Sequence, residues 1–273
     1  MAVVRPESEH RVPLWCLTLD ETHAGNAPGR KVISMSIVSP SPALKKGFAS
    51  LELSEAPMTM QGAINKSIGL LAVLIVTALA ANTFLPAGLL LVSALAGFGL
   101  AIATCLRPTL APKTAVLYAL CQGVTVGLVS KLYAQEYGGG IIVYALGVTL
   151  SIFAVLLAVY RARLITVTEN FRLGVVAATG GIAIYYLIAS IARLFGASMP
   201  LLASTSWMGI GFSVLVVVIA SANLVIDFDF IEHGVEQGVG RHMEWYAAFG
   251  LLVTLVWLYL EVLRLIAKLQ SRD

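Results

Sequence analysis

Carboxylic acids occur within the last two long apolar stretches of this 273-residue sequence. Asp227 and Asp229 stand near the end of one stretch, and Glu261 lies inside the next. An ionisable side chain within a membrane is costly unless it has a partner, a water path or a proton, so such residues indicate a functional site. Acids in that setting can relay protons or bind cations.

The composition indicates that these stretches are membrane spans. The chain is 58% hydrophobic and 12% charged, whereas soluble domains carry about 25% charged residues. Runs of about 20 apolar residues suffice to cross a bilayer as a helix. The sequence therefore predicts an all-α integral membrane protein with seven transmembrane helices. The predicted spans are 66–84, 87–106, 114–133, 139–160, 173–194, 206–229 and 245–267.

Two regions follow from this pattern. Residues 1–63 are predicted to be a polar, largely disordered segment, and 64–270 a transmembrane domain. Met35 is a plausible start, so one hypothesis is that residues 1–34 are not native. Thr59 is a candidate N-cap for a short helix that leads into the first span. The Gly123/Gly127 spacing favours close helix packing in lipid.

The distribution of positive charge predicts the orientation. Thirteen of the 18 Lys and Arg residues fall on the side that holds the N-terminus, and five fall on the other. The positive-inside rule then places the N-terminus in the cytoplasm and the C-terminus outside. The same rule accounts for the net charge of +3. Because the polar N-terminus carries no targeting signature, a bacterial inner membrane is favoured.

The residue types argue against an enzyme. The four histidines all lie outside the apolar spans. No span holds a Ser/His, Cys/His or zinc-protease arrangement, and no phosphate-binding glycine loop occurs. We therefore expect no enzymatic activity and no cofactor. We also expect no nucleic-acid partner, because basic residues interleaved with aromatics are missing. His233 and His242 with Glu232, Glu236 and Glu244 could form a surface metal cluster, although a solvated loop is favoured.

The acids themselves allow two interpretations. Asp227 is predicted at the inner end of the sixth helix, with Asp229 on a different face and Glu232 three residues beyond. They could be simple interfacial residues. Glu261 lies in the seventh helix with Arg264 three residues on, a spacing that permits an intrahelical ion pair. That pair could be purely structural.

The sequence also resembles a known family. The "VIDFDFIEHG" stretch that carries Asp227 and Asp229, the closing "WYAAFGLLVTLVWLYLEVLRLIAKL" and the seven spans are similar to the Bax inhibitor family. Its bacterial members include the YccA-like membrane proteins. The resemblance covers residues about 57–270. It implies a bundle in which six helices surround the seventh.

The resemblance further implies a function. One acid from the sixth helix and one from the seventh would share a proton and gate a calcium leak. In this sequence the matching residues are Asp227 and Glu261, which would also bind calcium transiently. Protonated, the pair would hold the two helices together; deprotonated, it would separate them and offer oxygen ligands to a hard cation. Asp229, Glu232 and Arg264 would be accessory.

The spacing of the two acids argues against direct contact. If the turn between the helices centres on Gly240, Asp227 is 13 residues from it and Glu261 is 21. The difference is about 12 Å along the membrane normal. The residue at the depth of Asp227 would be close to Thr254, which is not ionisable.

Two other functions remain open. YccA-like relatives are associated with restraint of a membrane-embedded, ATP-dependent protease, and the N-terminal segment would be the contact. A third possibility is a proton-coupled transporter with Asp227 as relay. In every case the lipid bilayer is the surrounding partner.

Overall fold

The computed structural model describes residues 56–195 and 204–272. Within these ranges the chain forms seven long helices, each long and apolar enough to cross a membrane. This confirms the seven-helix membrane fold. The helices are α1 (Met60–Phe84), α2 (Leu90–Leu106), α3 (Ala111–Tyr137), α4 (Gly140–Arg161), α5 (Glu169–Leu194), α6 (Trp207–Glu236) and α7 (Met243–Gln270). One-turn 3-10 helices at Ala87–Leu89 and Pro108–Leu110 lead into α2 and α3.

Most helices extend beyond their predicted spans, and α1 and α6 do so by the most residues at a single end. α1 begins at Met60, where the Thr59 hydroxyl accepts a hydrogen bond from the Gly62 backbone N–H at 3.0 Å. The predicted N-cap is confirmed, but the helix that it starts is the first span itself and not a separate short helix. α6 continues to Glu236. Asp227 therefore lies nine residues inside α6, about 13 Å from its end, and not at the helix end as predicted.

α7 is the most buried of these helices. It packs along α1, α3, α4 and α6, whereas α2 packs on α3 and α5 packs on α6. Most of the large apolar residues of the core lie on α7 or face it, including Leu252, Leu258 and Leu263. The ring of six helices around the seventh is thus not confirmed, because four of the six supply the main packing.

Small residues bring α1 and α3 into close contact, as predicted. A Cβ added at Gly123 would lie 2.7 Å from the Leu74 carbonyl oxygen, and one at Gly127 would overlap the Ala78 backbone. Glycine at both positions therefore lets the two helix backbones touch. This contact fixes α1 on one side of α3.

The residues before α1 bind the turn between α6 and α7. Met58 donates its backbone N–H to the Val239 carbonyl at 2.7 Å, and Arg241 donates to the Ala56 carbonyl at 3.1 Å. The Met58 side chain is buried. Residues 56–59 are thus ordered, unlike the largely disordered segment predicted for 1–63. Residues 1–55, with the proposed start at Met35, lie outside the described residues.

Candidate functional site

α6 and α7 form an antiparallel hairpin, and their contacts show which residues of the two helices lie opposite each other. Near the end of α7, the Lys268 ammonium donates to the Gly209 carbonyl and to the Ser213 hydroxyl of α6, both at 2.9 Å. Nearer the turn, Gly250 of α7 lies beside Asp227, whose Oδ1 would be 3.7 Å from a Cβ at that position. The hairpin is therefore nearly symmetric about Gly240, the residue at which the sequence analysis centres the turn.

The Asp227 carboxyl group faces Gly250 and Thr254 of α7. Its Oδ2 atom is buried and has no hydrogen-bond partner among the described residues. No cationic side chain in the described ranges forms an ion pair with it. A buried, unpaired carboxylate is strongly disfavoured, whereas the neutral acid is tolerated. The environment of Asp227 therefore favours the neutral acid over an uncompensated carboxylate.

Thr254 sets what Asp227 can bond to. The Thr254 hydroxyl has one hydrogen, which it can donate either to the Gly250 carbonyl at 3.2 Å, with its lone pairs then facing the acid, or to the ionised Asp227 carboxylate. A protonated Asp227 can donate to those lone pairs. An ionised Asp227 can bond to Thr254 only if the hydroxyl leaves the Gly250 carbonyl. The local hydrogen bonding therefore differs between the two protonation states.

Glu261 has different surroundings. Its side chain is 1% exposed, and Oε1 accepts from the Tyr186 hydroxyl at 2.9 Å and from the Arg264 guanidinium at 2.7 Å. Arg264 also donates to the Tyr186 oxygen at 2.8 Å. Because arginine stays protonated in proteins, Glu261 is an ion-paired carboxylate. Its Oε2 atom is buried without a hydrogen-bond partner in the part of the chain that the structure describes.

The direct hydrogen bond between Asp227 and Glu261 is not formed. Asp227 lies at the level of Thr254, and the seven residues from Thr254 to Glu261 correspond to about 10 Å along α7. Thr254, which Asp227 of α6 faces, and Glu261 lie on the same face of α7 but at different depths. The physical reason is the symmetric turn, which pairs Asp227 with Thr254. The described residues also contain no group of three or more metal-binding side chains, so a calcium site would need ligands beyond this pair.

The accessory acids lie at the end of the bundle where α1 begins, here called the Met60 end. Asp229 is buried and accepts from the Arg172 guanidinium of α5 at 2.5 Å, with the His233 ring 3.3 Å away. Glu232 accepts from the Tyr160 hydroxyl of α4 at 2.5 Å. These contacts tie α6 to α4 and α5. Asp229 and Glu232 therefore have cationic partners, whereas Asp227 forms no ion pair with a described residue.

One buried acid was assigned wrongly from the sequence. The sequence predicts that Glu244 lies in a solvated loop or in a surface metal cluster, but the residue is 1% exposed. Its carboxylate accepts from the Thr59 backbone N–H and hydroxyl, both at 2.9 Å, and forms an ion pair with Lys66. The cluster is absent from the described residues because Glu244 points into the bundle towards α1. The capping signal at Thr59 was visible in the sequence; its link to Glu244 was not.

Two further polar residues escaped the sequence analysis. Tyr186 of α5 bridges Glu261 and Arg264, and Lys268 reaches across to the start of α6. Tyr186 sits in an uncharged run that reads as plain membrane span, and Lys268 reads as an interfacial residue. No local sequence signal distinguishes either from a lipid-facing side chain.

The comparisons with known proteins assign a family. The sequence model of a family described as Bax inhibitor 1 like matches residues 18–271. This match covers nearly the whole chain and includes every residue of the site. No curated protein sequence matches the chain significantly.

Proposed function

The chain belongs to the Bax inhibitor 1 like family, and from this premise we propose that it is a proton-sensitive cation leak in which Asp227 is the titrating gate. The observation that supports the proposal is the buried Asp227 carboxyl group with an oxygen that no described residue bonds. An intramembrane acid in this state marks an ion or proton pathway. The gate then consists of one acid and one hydroxyl, and not of two acids that share a proton.

In the closed state Asp227 is neutral. Its proton is donated to the Thr254 lone pairs, which ties α6 to α7 where Gly250 allows close approach. Loss of the proton removes that donor and leaves a negative charge that requires water or a cation. Carboxylate and hydroxyl oxygens are suitable ligands for a hard cation such as Ca²⁺. Deprotonation therefore opens the path and attracts the ion together.

Glu261 has a separate role in this proposal. Its charge is balanced by Arg264, and Tyr186 holds both groups in place. A cation that reaches this depth meets an arginine, which repels it, beside the free Oε2 of Glu261. We assign the Glu261–Arg264–Tyr186 group as a second barrier that opens when the ion pair is exchanged for a cation. Calcium contact with Glu261 is transient in this scheme.

The orientation of the bundle in the membrane decides which acid lies nearer the cytoplasm. Lys66, Lys113, Arg172 and Arg241 belong to the Met60 end, and on the positive-inside rule we propose that this end faces the cytoplasm of a bacterial inner membrane. Asp227 then lies nearer the cytoplasmic side, and Glu261 nearer the outer side. Cytoplasmic pH is expected to control the gate.

Calcium flux into proteoliposomes tests the proposal. The wild type is expected to show flux that rises as pH increases, because deprotonation of Asp227 opens the path. Asp227→Asn cannot lose a proton and should give flux that is independent of pH. Asp229→Asn is the matched control, since this acid lies two residues away but is paired with Arg172; it should retain the pH response. Identical pH profiles for the wild type and Asp227→Asn would refute the gate.

A role in restraining a membrane protease has one structural argument in its favour. Residues 56–58, where the described part of the chain begins, bind the α6–α7 turn of the hairpin that carries Asp227. A partner that pulls on this segment would act on the hairpin directly. Deleting residues 1–55 should abolish capture of such a protease without changing calcium flux; retained capture would exclude the segment as the contact.

A further inference from the structure

A groove runs between α1 and α4 on the side of α7 away from the acids. It encloses about 300 Å³ and is floored by residues of α3 and α7. Leu255 and Tyr259 of α7 line it, and they lie on the helix face roughly opposite Gly250 and Glu261. The groove is therefore separate from the proposed ion path.

The packing of α1 explains why the groove exists. Gly123 and Gly127 hold α1 tightly against α3, while α4 packs on the other flank of α7 and against α6. The space between α1 and α4 opens sideways, towards the position of the lipid. Ile75, Leu79 and Leu146 on its rim are each more than 40% exposed.

The dimensions of the groove match a lipid chain. Along α1 it extends from Ser67 to Asn82, which is about 22 Å at the helical rise. Half of the hydrocarbon core of a bilayer is about 15 Å, so the groove is long enough for the acyl chain of one leaflet. Its walls are almost wholly aliphatic, and its volume falls within the range of small-molecule sites.

One end of the groove is polar, and a positive charge lies near it on Lys131, which follows the lining residue Ser130. Asn82, Ser130 and Tyr259 line that end, where the Ser130 and Tyr259 hydroxyls bond to each other at 2.8 Å. Next to them, the Lys131 ammonium donates to the Leu85 carbonyl at 3.3 Å. Among the described residues, no carboxylate pairs with Lys131. An ammonium at the membrane boundary, beside an apolar groove, complements a lipid phosphate.

We propose that this groove binds one acyl chain of an anionic bilayer phospholipid, with the phosphate of that lipid at Lys131. The aliphatic walls hold the chain, and Lys131 with Asn82 holds the headgroup. The site selects by charge at one end and by length along the groove. It places a lipid in direct contact with the back of α7.

Photo-crosslinking tests the site. The purified protein is reconstituted in vesicles that contain phosphatidylglycerol or phosphatidylcholine with a diazirine in the acyl chain, and labelled residues are mapped by mass spectrometry. The wild type should be labelled mainly on groove residues of α1 and α4, and more by phosphatidylglycerol. Lys131→Gln should reduce the preference for phosphatidylglycerol about fivefold, because one lysine near the surface contributes roughly 1 kcal/mol.

Substitutions that fill the groove provide a second test in the same crosslinking experiment. Leu146→Trp and Leu150→Trp place a large ring within it and should remove most groove labelling. Leu157→Trp is the matched control on the same helix, since Leu157 is 41% exposed against 45% for Leu146 and does not line the groove; it should leave labelling unchanged. Labelling spread over all lipid-facing helices in proportion to exposure, or equal labelling of the wild type and both groove variants, would overturn the proposal. Equal labelling by the two lipids would overturn the assignment of the phosphate to Lys131.

Discussion

Glu244 and Asp227 are two acids of the same helical hairpin, and their surroundings are opposite. The Glu244 carboxylate is bonded by Thr59 and paired with Lys66, and Gly62 of α1 leaves room for it. The Asp227 carboxyl group faces Gly250 and Thr254, and its buried Oδ2 atom has no hydrogen-bond partner in the described part of the chain. Burial alone therefore does not identify the functional acid. The proposed function rests instead on the bonding partners, because a carboxylate whose oxygens are already paired gains little from taking up a proton or a cation.

The largest effect is expected from Glu244→Gln. The change removes the negative charge opposite the half-buried Lys66 and turns one acceptor oxygen into a donor group, so unfolding free energy should fall by about 3 kcal/mol. Thermal unfolding in detergent measures it. Glu136→Gln is the control, because Glu136 is exposed and forms no ion pair within the described residues. Equal melting temperatures for the two variants would show that the Glu244 contacts are not stabilising.

A pair of glycine substitutions compares the space around the two acids. In Gly62→Ala the added methyl group would overlap the Glu244 carboxyl group, whereas in Gly250→Ala it would be 3.7 Å from Asp227 Oδ1, an ordinary contact. The first should cost about 1–3 kcal/mol of stability, as overpacking does, and the second should be tolerated. Gly69→Ala in α1 meets open space and controls for the helix. If Gly250→Ala were the more damaging change, Asp227 would be packed as tightly as Glu244.

Arg172→Gln should have a smaller effect. It removes the cation that pairs with the buried Asp229, but Arg172 is 50% exposed and water screens the pair. We expect a loss of at most about 1 kcal/mol and an unchanged flux response to pH. Chemical denaturation in mixed micelles measures the first, and the proteoliposome assay the second. A lost pH response would move the gate from Asp227 to the Met60 end.

The smallest change in stability is expected from Asp227→Asn at acidic pH. There the wild-type acid is neutral and nearly isosteric with the amide. The free energies of unfolding of the two proteins, measured by thermal unfolding in detergent, should therefore agree to within about 0.5 kcal/mol. As pH rises, the wild type must bear an unpaired charge and should become less stable than the variant. Parallel curves across the pH range would mean that Asp227 does not titrate in the folded protein.

The spans could be predicted from the sequence because each helix buries its backbone bonds internally and needs only local apolarity to cross a membrane. The Thr59 cap and the Gly123/Gly127 contact were local signals as well. The level of Asp227 beside Thr254 followed from counting residues on each side of Gly240. The Glu261–Arg264 pair followed from the helical repeat.

Partners that come from other helices could not be predicted. Lys66 and Thr59 reach Glu244 from 178 and 185 residues away, and Tyr186 reaches Glu261 from 75 residues away. These pairings depend on which helices are neighbours and on how far each is rotated. The same is true of the α1–α4 groove, which exists because α1 is held against α3.

The sequence by itself determined seven membrane helices, the family, and the level of Asp227 relative to Thr254 across the hairpin. Tertiary structure alone decided which acids are neutralised, because charge compensation in a low-dielectric interior requires atoms within a few ångströms that only helix packing supplies. It placed Tyr186 beside the Glu261–Arg264 pair and Lys66 beside Glu244. It gave Asp227 a hydroxyl and a glycine instead.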